Sequence, residues 1–160
     1  MNIQAGDKMP EGVLMQMGAE GPQPLSTNDL FSRKKVVIFS VPGAFTPTCS
    51  ARHLPGFVDN FKNFEVKGVD TIACMAVNDA FVMSAWGKSQ EAGGKVLMLA
   101  DGNGDYAKAL GLEMDGTGFG MGMRGQRFSI IVEDGVITTL NIEGPGQFEL
   151  SSAEHALGQL

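Results

Sequence analysis

The chain has 160 residues, of which 43% are hydrophobic and 19% are charged, so its composition is that of an ordinary globular protein. A chain of this length buries roughly 70% of its unfolded surface and needs neither disulfides nor a metal to stabilise its core. The formal net charge of −6 argues against a nucleic-acid partner, because contact with a phosphate backbone normally requires a basic face. We therefore expect a single domain over residues 1–160 that binds no nucleic acid.

The sequence shows no targeting or membrane signal. Residues 1–7 lack the charged and apolar regions of a signal peptide, and the longest apolar stretch, residues 72–77, is far shorter than a membrane span. The two cysteines, Cys49 and Cys74, are too few for a secreted disulfide framework. These features predict a cytoplasmic protein with no membrane contact, in which an isolated cysteine is either a buried apolar residue or a reactive thiol.

The secondary-structure pattern begins with a β-hairpin at residues 12–24 and continues with alternating strands and helices. In chain order we predict a strand at 35–41, a helix at 48–66 that Pro55 should kink, a strand at 71–77 and a helix at 79–90. A strand at 96–100 and a short helix at 106–110 follow. The chain then has strands at 127–132 and 136–142 around a turn at 133–135, and a last helix after the capping pattern of residues 151–154. This order predicts an α/β fold, with a mixed sheet and helices on both faces.

The stretch Val41-Pro-Gly-Ala-Phe-Thr-Pro-Thr-Cys49 lies where a buried strand gives way to a helix. Cys49 is thereby placed in the first helical turn, where free N–H groups and the positive end of the helix dipole favour a thiolate. We expect Thr46 or Thr48 to cap this helix, and Thr46 to bring a hydroxyl within one turn of the sulfur. The alternative for Cys49 is a buried structural thiol, but the strand-to-helix junction favours a reactive one.

The spacing Pro42-x-x-x-Thr46-x-x-Cys49 resembles the active-site motif of the peroxiredoxins, which have a thioredoxin-like fold. Further strings are similar to the type II (peroxiredoxin 5) subfamily, namely His53-Leu-Pro-Gly-Phe57, Val77-Asn-Asp-Ala-Phe-Val82, Trp86-Gly87, Leu99-Ala-Asp101 and Arg127-Phe-Ser129. The resemblance runs from about residue 5 to the C-terminus. It implies a central mixed sheet flanked by helices, here with an N-terminal β-hairpin extension, and thiol-dependent reduction of hydrogen peroxide and alkyl hydroperoxides.

The resemblance also implies roles for four residues. Cys49 corresponds to the peroxidatic cysteine that becomes a sulfenic acid, Thr46 to the helper hydroxyl, and Pro42 to the shielding proline. Arg127 corresponds to the family arginine, whose guanidinium would hold the thiolate and the peroxide oxygens. Arg124 is the alternative arginine, but the Phe-Ser that follows Arg127 places the match there. No cofactor and no metal are expected, since two histidines are too few for a metal cluster.

The reductant of the oxidised thiol is a separate question. Cys74 lies in an apolar strand and is interpreted as a buried structural thiol, although plant type II peroxiredoxins resemble this chain in having a second cysteine at this position. The chain has no cysteine near its C-terminus that would resolve a sulfenic acid. We therefore expect glutathione, with glutaredoxin as recycling partner, to reduce Cys49. The alternative is thioredoxin acting on a Cys49–Cys74 disulfide, which would require local unwinding of the first helix.

Two other functions are alternatives for a chain with one reactive thiol. In a redox-sensing binding module, oxidation of Cys49 would change partner choice, but Thr46 together with Arg127 favours catalysis. A thioredoxin-like disulfide reductase is disfavoured, because the chain has no Cys-x-x-Cys pair.

The resemblance further implies a homodimer that pairs beside the active-site loop. Three aromatic residues are candidates either for that apolar interface or for the core, namely Phe45, Phe81 and Trp86. The glycine-rich segment 116–123 is expected to be a mobile loop near the arginine.

Overall fold

The structure, a computed structural model, describes residues 3–160, so the first two residues of the predicted domain lie outside the described part. The fold begins with an antiparallel hairpin of β1 (Val13–Gly18) and β2 (Gly21–Ser26), closed by a two-residue turn between Gly18 and Gly21. Gly21 has a φ of 117°, a conformation that only glycine adopts readily. The predicted N-terminal hairpin is confirmed.

Seven strands form one mixed sheet in the order β2-β1-β5-β4-β3-β8-β9. The elements after the hairpin are α1 (Thr27–Phe31), β3 (Lys35–Ser40), a π-helical turn (Cys49–His53), α2 (Leu54–Asp59), α3 (Phe61–Val66), β4 (Thr71–Ala76), α4 (Ala80–Ser89), β5 (Leu97–Ala100), α5 (Asp105–Leu110), β6 (Glu113–Asp115), a 3₁₀ turn (Thr117–Phe119), β7 (Met123–Gly125), β8 (Phe128–Glu133), β9 (Val136–Ile142) and α6 (Ala153–Leu157). Strands β3, β4 and β5 are parallel, and their neighbours on either side run antiparallel. This arrangement confirms the predicted mixed sheet.

Hydrophobic clusters cover the two faces of the sheet. In β3, Val37 and Phe39 belong to one cluster, while Val36 and Ile38 belong to the other. Helices α2, α4 and α6 contribute to the first cluster, and α1 and α5 to the second. Because both faces are covered, the central strands are apolar along their whole length instead of alternating with polar residues. The prediction of helices on both faces is confirmed.

The helix predicted over residues 48–66 is not continuous. Residues 47–48 are helical, the π-helical turn follows, and Asn60 then separates α2 from α3. Leu54 N donates to Cys49 O, five residues earlier, and Pro55 has no N–H to continue an α-helical ladder. The irregularity expected from Pro55 therefore takes the form of a π-helical turn just before it.

Several short elements were not predicted. Helix α1 begins after Ser26, whose side chain accepts from Asp29 N, and β6 pairs with β7 in a small second sheet. The segment expected to be a mobile loop holds the 3₁₀ turn between these two strands. The last helix is capped by Ser152, within the predicted capping pattern of residues 151–154, and its side chain accepts from His155 N. Within residues 3–160, no helix is long and apolar enough to span a membrane.

Candidate active site

The candidate site lies at the carboxyl edge of the parallel strands, in the loop between β3 and the π-helical turn. Asn78, which follows β4, accepts a hydrogen bond from Ala44 N at 2.9 Å through its Oδ1 atom. Phe45 has a φ of 66°, a conformation that a bulky residue adopts only under strain. The loop is therefore held in one shape by the neighbouring strand connection and not by its own residues alone.

Arg124 fixes the same loop from the other side. Its Nη1 donates to Pro42 O at 3.2 Å, and its Nε donates to Met121 O at 2.9 Å. A Cβ atom on Gly43 would lie 3.0 Å from Arg124 Nη1, so glycine leaves the room that this arginine needs. The sequence marked Arg124 only as the alternative to Arg127, since nothing local reveals a contact across 82 positions.

The structure brings the thiol of Cys49 together with the guanidinium of Arg127. Cys49 is fully buried, and its Sγ accepts a hydrogen bond from Arg127 Nη2 at 3.1 Å. The other terminal nitrogen of the guanidinium, Nη1, lies 2.8 Å from Nδ1 of His53. The two contacts leave this guanidinium little freedom to rotate, because both ends of its planar fork are engaged.

His53 acts as a hydrogen-bond acceptor toward Arg127. Its Nε2 lies 2.9 Å from Ser151 O, and a carbonyl oxygen only accepts, so the ring proton is on Nε2 and Nδ1 is free to accept. Burial and then the charge of Arg127 lower the pKa of His53 to about 3, outweighing the hydrogen bond to Ser151 and the charge of Glu143. The ring is therefore neutral at neutral pH.

Aromatic rings surround this hydrogen-bonded pair. Phe148 lies 4.9 Å from the His53 ring between centroids, and its ring is also 5.8 Å from the guanidinium carbon of Arg127. Phe39 lies on another side of His53, at a centroid distance of 4.8 Å. These rings limit the access of water, which strengthens the electrostatic interaction between the guanidinium and the thiol.

The structure places Thr46 beside the thiol turn but directs its hydroxyl elsewhere. Thr46 Oγ1 donates to Gly43 O at 2.7 Å, and the described residues show no hydrogen bond from it to Cys49. Thr48 makes no side-chain cap either, so the prediction that one of the two hydroxyls caps the helix was wrong, although Thr46 directly precedes the helix and its carbonyl accepts from Ser50 N. Pro47 is the first helical residue and has no N–H to satisfy, and the threonine hydroxyl closes the turn that precedes it.

A cleft of about 320 Å³ opens beside Arg127. Its lining residues are Pro42, Thr48, Glu113, Met114, Gln126, Arg127, Glu143, Gly144, Pro145, Gly146 and Gln147. A cleft of this size is large enough for a small molecule. The cleft therefore gives a small molecule access to Arg127, whose guanidinium contacts the thiol. No group of His, Cys, Asp and Glu side chains within residues 3–160 is placed to hold a metal ion.

The second thiol, Cys74, lies on the same face of the sheet as Cys49. It is opposite Phe39 in the register of β3 and β4, and both cysteines are free and belong to one hydrophobic cluster. Burial, and then the proximity of Cys49, raise the pKa of the Cys74 thiol well above its usual value, although Arg127 acts to lower it. Cys74 is therefore buried, as predicted, and protonated at neutral pH.

The chain matches known proteins along its whole length. The family model described as Redoxin matches residues 4–157. Peroxiredoxin-2C of Oryza sativa subsp. japonica is 46% identical over 159 residues, covering 99% of this chain and 98% of that protein. The crystal structure of reduced Prx3 in complex with hydrogen peroxide from Vibrio vulnificus is 52% identical, with a TM-score of 0.94 over 98% of each chain. Peroxiredoxin 5 from Alvinella pompejana is 34% identical, with a TM-score of 0.84 over 97% of this chain and 96% of that one.

These matches, together with the mixed sheet and its N-terminal hairpin, confirm the predicted thioredoxin-like α/β fold. The chain belongs to the peroxiredoxin family, in its type II subfamily. It is a thiol-dependent peroxidase, and Cys49 is its peroxidatic cysteine.

Proposed function

We propose that Arg127 is the residue that activates Cys49 for attack on hydrogen peroxide and alkyl hydroperoxides. The observation that carries the proposal is the 3.1 Å contact of Arg127 Nη2 with the sulfur, with Nη1 held by His53. In the reaction, the thiolate forms a bond to the terminal peroxide oxygen while the O–O bond breaks. The sulfur becomes a sulfenic acid, and the leaving oxygen takes a proton to give water or an alcohol.

Thr46 and Pro42 complete the proposed site. Negative charge develops on the oxygens as the O–O bond breaks, and a donor placed there in advance lowers the barrier. Thr46 Oγ1 is proposed to exchange its bond to Gly43 O for one to a peroxide oxygen when the substrate enters. Pro42, at the mouth of the cleft, is proposed to shield the thiolate from water.

Rapid-mixing kinetics with hydrogen peroxide test these roles. Trp86, the one tryptophan of the chain, donates to Ser50 Oγ next to Cys49, so we expect its fluorescence to change on oxidation. Cys49→Ser should consume no peroxide. Arg127→Gln and Thr46→Val should each slow oxidation by roughly 10² or more, as the loss of one preorganised donor does. Arg33→Gln, at an exposed arginine outside the site, is the control. A parental rate in Arg127→Gln would refute the role of that residue.

The proposed reductant is glutathione, recycled with glutaredoxin. A glutathione thiol would attack the sulfenic sulfur of Cys49, form a mixed disulfide and release water, and a second thiol would then release Cys49. The burial of Cys74 and its raised pKa support this proposal, since a protonated thiol is a poor nucleophile. The second candidate is a Cys49–Cys74 disulfide reduced by thioredoxin, and the location of both thiols in one cluster favours it.

Peptide mapping after one equivalent of peroxide separates the two routes. With glutathione present, the parent should carry glutathione on Cys49, and Cys74→Ser should keep its turnover with glutathione and glutaredoxin. A dominant crosslink between the Cys49 and Cys74 peptides, together with lost turnover in Cys74→Ser, would instead establish the thioredoxin-type route. Ala73→Ser, at a buried neighbour of Cys74 on the same strand, controls for a polar substitution in β4.

We also propose a homodimer and a location in the cytoplasm. The exposed rings of Phe45, in the active-site loop, and Phe81, near the start of α4, support the dimer. The two free cysteines support a reducing compartment. Cell fractionation with an antibody against the protein tests the location, and recovery outside the cytoplasmic fraction would contradict it.

A further inference from the structure

Glu143 connects the C-terminal segment to the active-site arginine, which directly precedes β8. It follows β9, and its backbone N–H donates to Arg127 O at 3.0 Å. Its side chain is buried, with 6% of the residue exposed. The Oε2 atom accepts three hydrogen bonds, from Glu149 N at 2.7 Å, Ser151 N at 2.8 Å and Ser151 Oγ at 2.7 Å. Within the described residues, Oε1 has no hydrogen-bond partner, so Oε2 alone makes the side-chain hydrogen bonds of Glu143 to the C-terminal segment.

These contacts close a ring of four residues. Glu143 holds Ser151, the Ser151 carbonyl accepts from His53 Nε2, and His53 Nδ1 accepts from Arg127 Nη1. The backbone of Arg127 in turn accepts from Glu143 N. The hydrogen bond from Arg127 Nη2 to Cys49 Sγ leads from this ring to the reacting atom.

We propose that Glu143 is a positioning residue of the peroxidase reaction, which aims the Arg127 guanidinium at the sulfur by fixing the Ser151 carbonyl and, through it, the His53 ring. The inference rests on the role proposed above for Arg127. Among the described residues, the Glu143 side chain bonds to Glu149 and Ser151 and makes no hydrogen bond to the Cys49 thiol. It acts through the direction of a guanidinium whose misplacement by about 1 Å would slow the reaction by roughly 10²-fold.

The residue type at this position fits the role. Residues 143–152 form only turns and bends, so no regular ladder holds the Ser151 carbonyl in place. Burial acts to raise the pKa of Glu143, but the hydrogen bonds from Ser151 and Glu149 help to outweigh it, and the pKa lies below its usual value. The side chain is therefore a carboxylate, whose charge-assisted hydrogen bonds are roughly twice as strong as those of a neutral acceptor.

A double-mutant cycle on the reduced protein tests the proposal. The rate of oxidation by hydrogen peroxide is measured by rapid mixing, with Trp86 fluorescence as the signal. Glu143→Ala should slow oxidation by roughly 10- to 100-fold, and Glu143→Gln, which keeps an acceptor oxygen without its charge, by less. In an Arg127→Gln background, Glu143→Ala should slow the reaction by no more than about twofold, because its effect passes through Arg127. Glu154→Ala, at an exposed carboxylate of α6, should match the parent.

Nitrogen NMR of the imidazole rings gives a readout that a purely structural tie would not change. In the parent, His53 should show a protonated Nε2 and a bare Nδ1, with His155 as the second histidine for reference. Glu143→Ala should weaken this tautomer preference. If the variant does not fold, Ser151→Ala, which removes only the hydroxyl contact to Glu143, carries the same cycle.

Two results would overturn the proposal: a folded Glu143→Ala that oxidises at the parental rate, or a slowing of equal size with and without Arg127. The Arg127→Gln variant alone keeps the two proposals apart. If it oxidises at the parental rate, the role of Arg127 fails and this inference falls with it. If it is slow while Glu143→Ala is not, only the role of Glu143 fails.

Discussion

At the scale of single residues, the site depends on side chains that are held in one protonation state by their surroundings. His53 is fully buried and accepts a hydrogen bond from Arg127, which a protonated ring could not do. The same burial that keeps the ring neutral also makes the native protein sensitive to acid. His53 therefore affects both the position of the Arg127 guanidinium and the stability of the native protein at low pH.

The pH dependence of stability tests the state of His53. Its pKa is about 3 in the native protein and about 6.5 when unfolded, so between these values the unfolded chain binds the proton first. The free energy of unfolding should therefore fall as the pH falls through this window. Between pH 7 and pH 5 we expect a loss of about 2 kcal/mol from this residue, in a range where carboxyl groups contribute little.

Urea unfolding at pH 7, 6 and 5 measures this slope in the parent and in His53→Gln, which cannot titrate. The variant should be less stable at pH 7, but its stability should change less between pH 7 and pH 5. Equal slopes in the two proteins would show that His53 is not kept neutral by the fold.

At the scale of elements, short helices depend on their ends, because few residues contribute hydrogen bonds within them. Helix α4 begins after Asp79, whose Oδ1 accepts from Val82 N at 2.8 Å. Its buried residues include Met83 and Trp86, and Trp86 donates to Ser50 beside the thiol. The start of α4 thus contributes to the packing behind the active site.

Replacing the cap of α4 should cost stability without touching the thiol. Asp79→Ala removes the acceptor for Val82 N, and we expect the free energy of unfolding to fall by about 1 kcal/mol. Asp79→Ser, which keeps a capping oxygen, should lose only part of this. Urea denaturation gives both values, and an unchanged midpoint in Asp79→Ala would show that the cap contributes nothing.

At the scale of the whole molecule, one sheet connects the N-terminal hairpin to the last strand, while the single domain over residues 1–160 stays a prediction. Apolar side chains nevertheless remain exposed near the active-site loop. Phe45 is 55% exposed and Phe81 is 65% exposed, whereas Trp86 is fully buried, so of its two alternatives the core is correct and the interface is wrong. Trp86 lies in the core because α4 packs its inner face against the sheet. The two exposed rings are the residues on which the proposed dimer depends.

Sedimentation at tens of micromolar protein tests the dimer. The parent should have twice the monomer mass, and Phe81→Glu should shift it toward the monomer, because a charge placed in an apolar interface is costly to bury. Val66→Glu is the matched control, since Val66 is 87% exposed at the end of α3. A parent that sediments only as a monomer would rule the dimer out.

Local pattern in the sequence was enough to predict the hairpin, the buried parallel strands and a thiol at the start of a helix. Each of these depends on neighbouring residues: the turn that closes a hairpin, the apolar run of a strand covered on both faces, and the junction that places Cys49 in a first turn. The family motif added the pairing of Cys49 with Arg127, which spacing alone does not reveal.

Only the tertiary structure decided how these side chains are directed. The Thr46 hydroxyl bonds to Gly43 and not to the helix end, and His53 joins Arg127 to Ser151 across separations of 74 and 98 positions. No pattern in the sequence predicts the contacts of Glu143, which is one of several carboxylates in the chain and follows a strand. The physical reason is that the partner of a hydrogen bond is chosen by distance and angle, and both are set by the packing of elements that lie far apart along the chain.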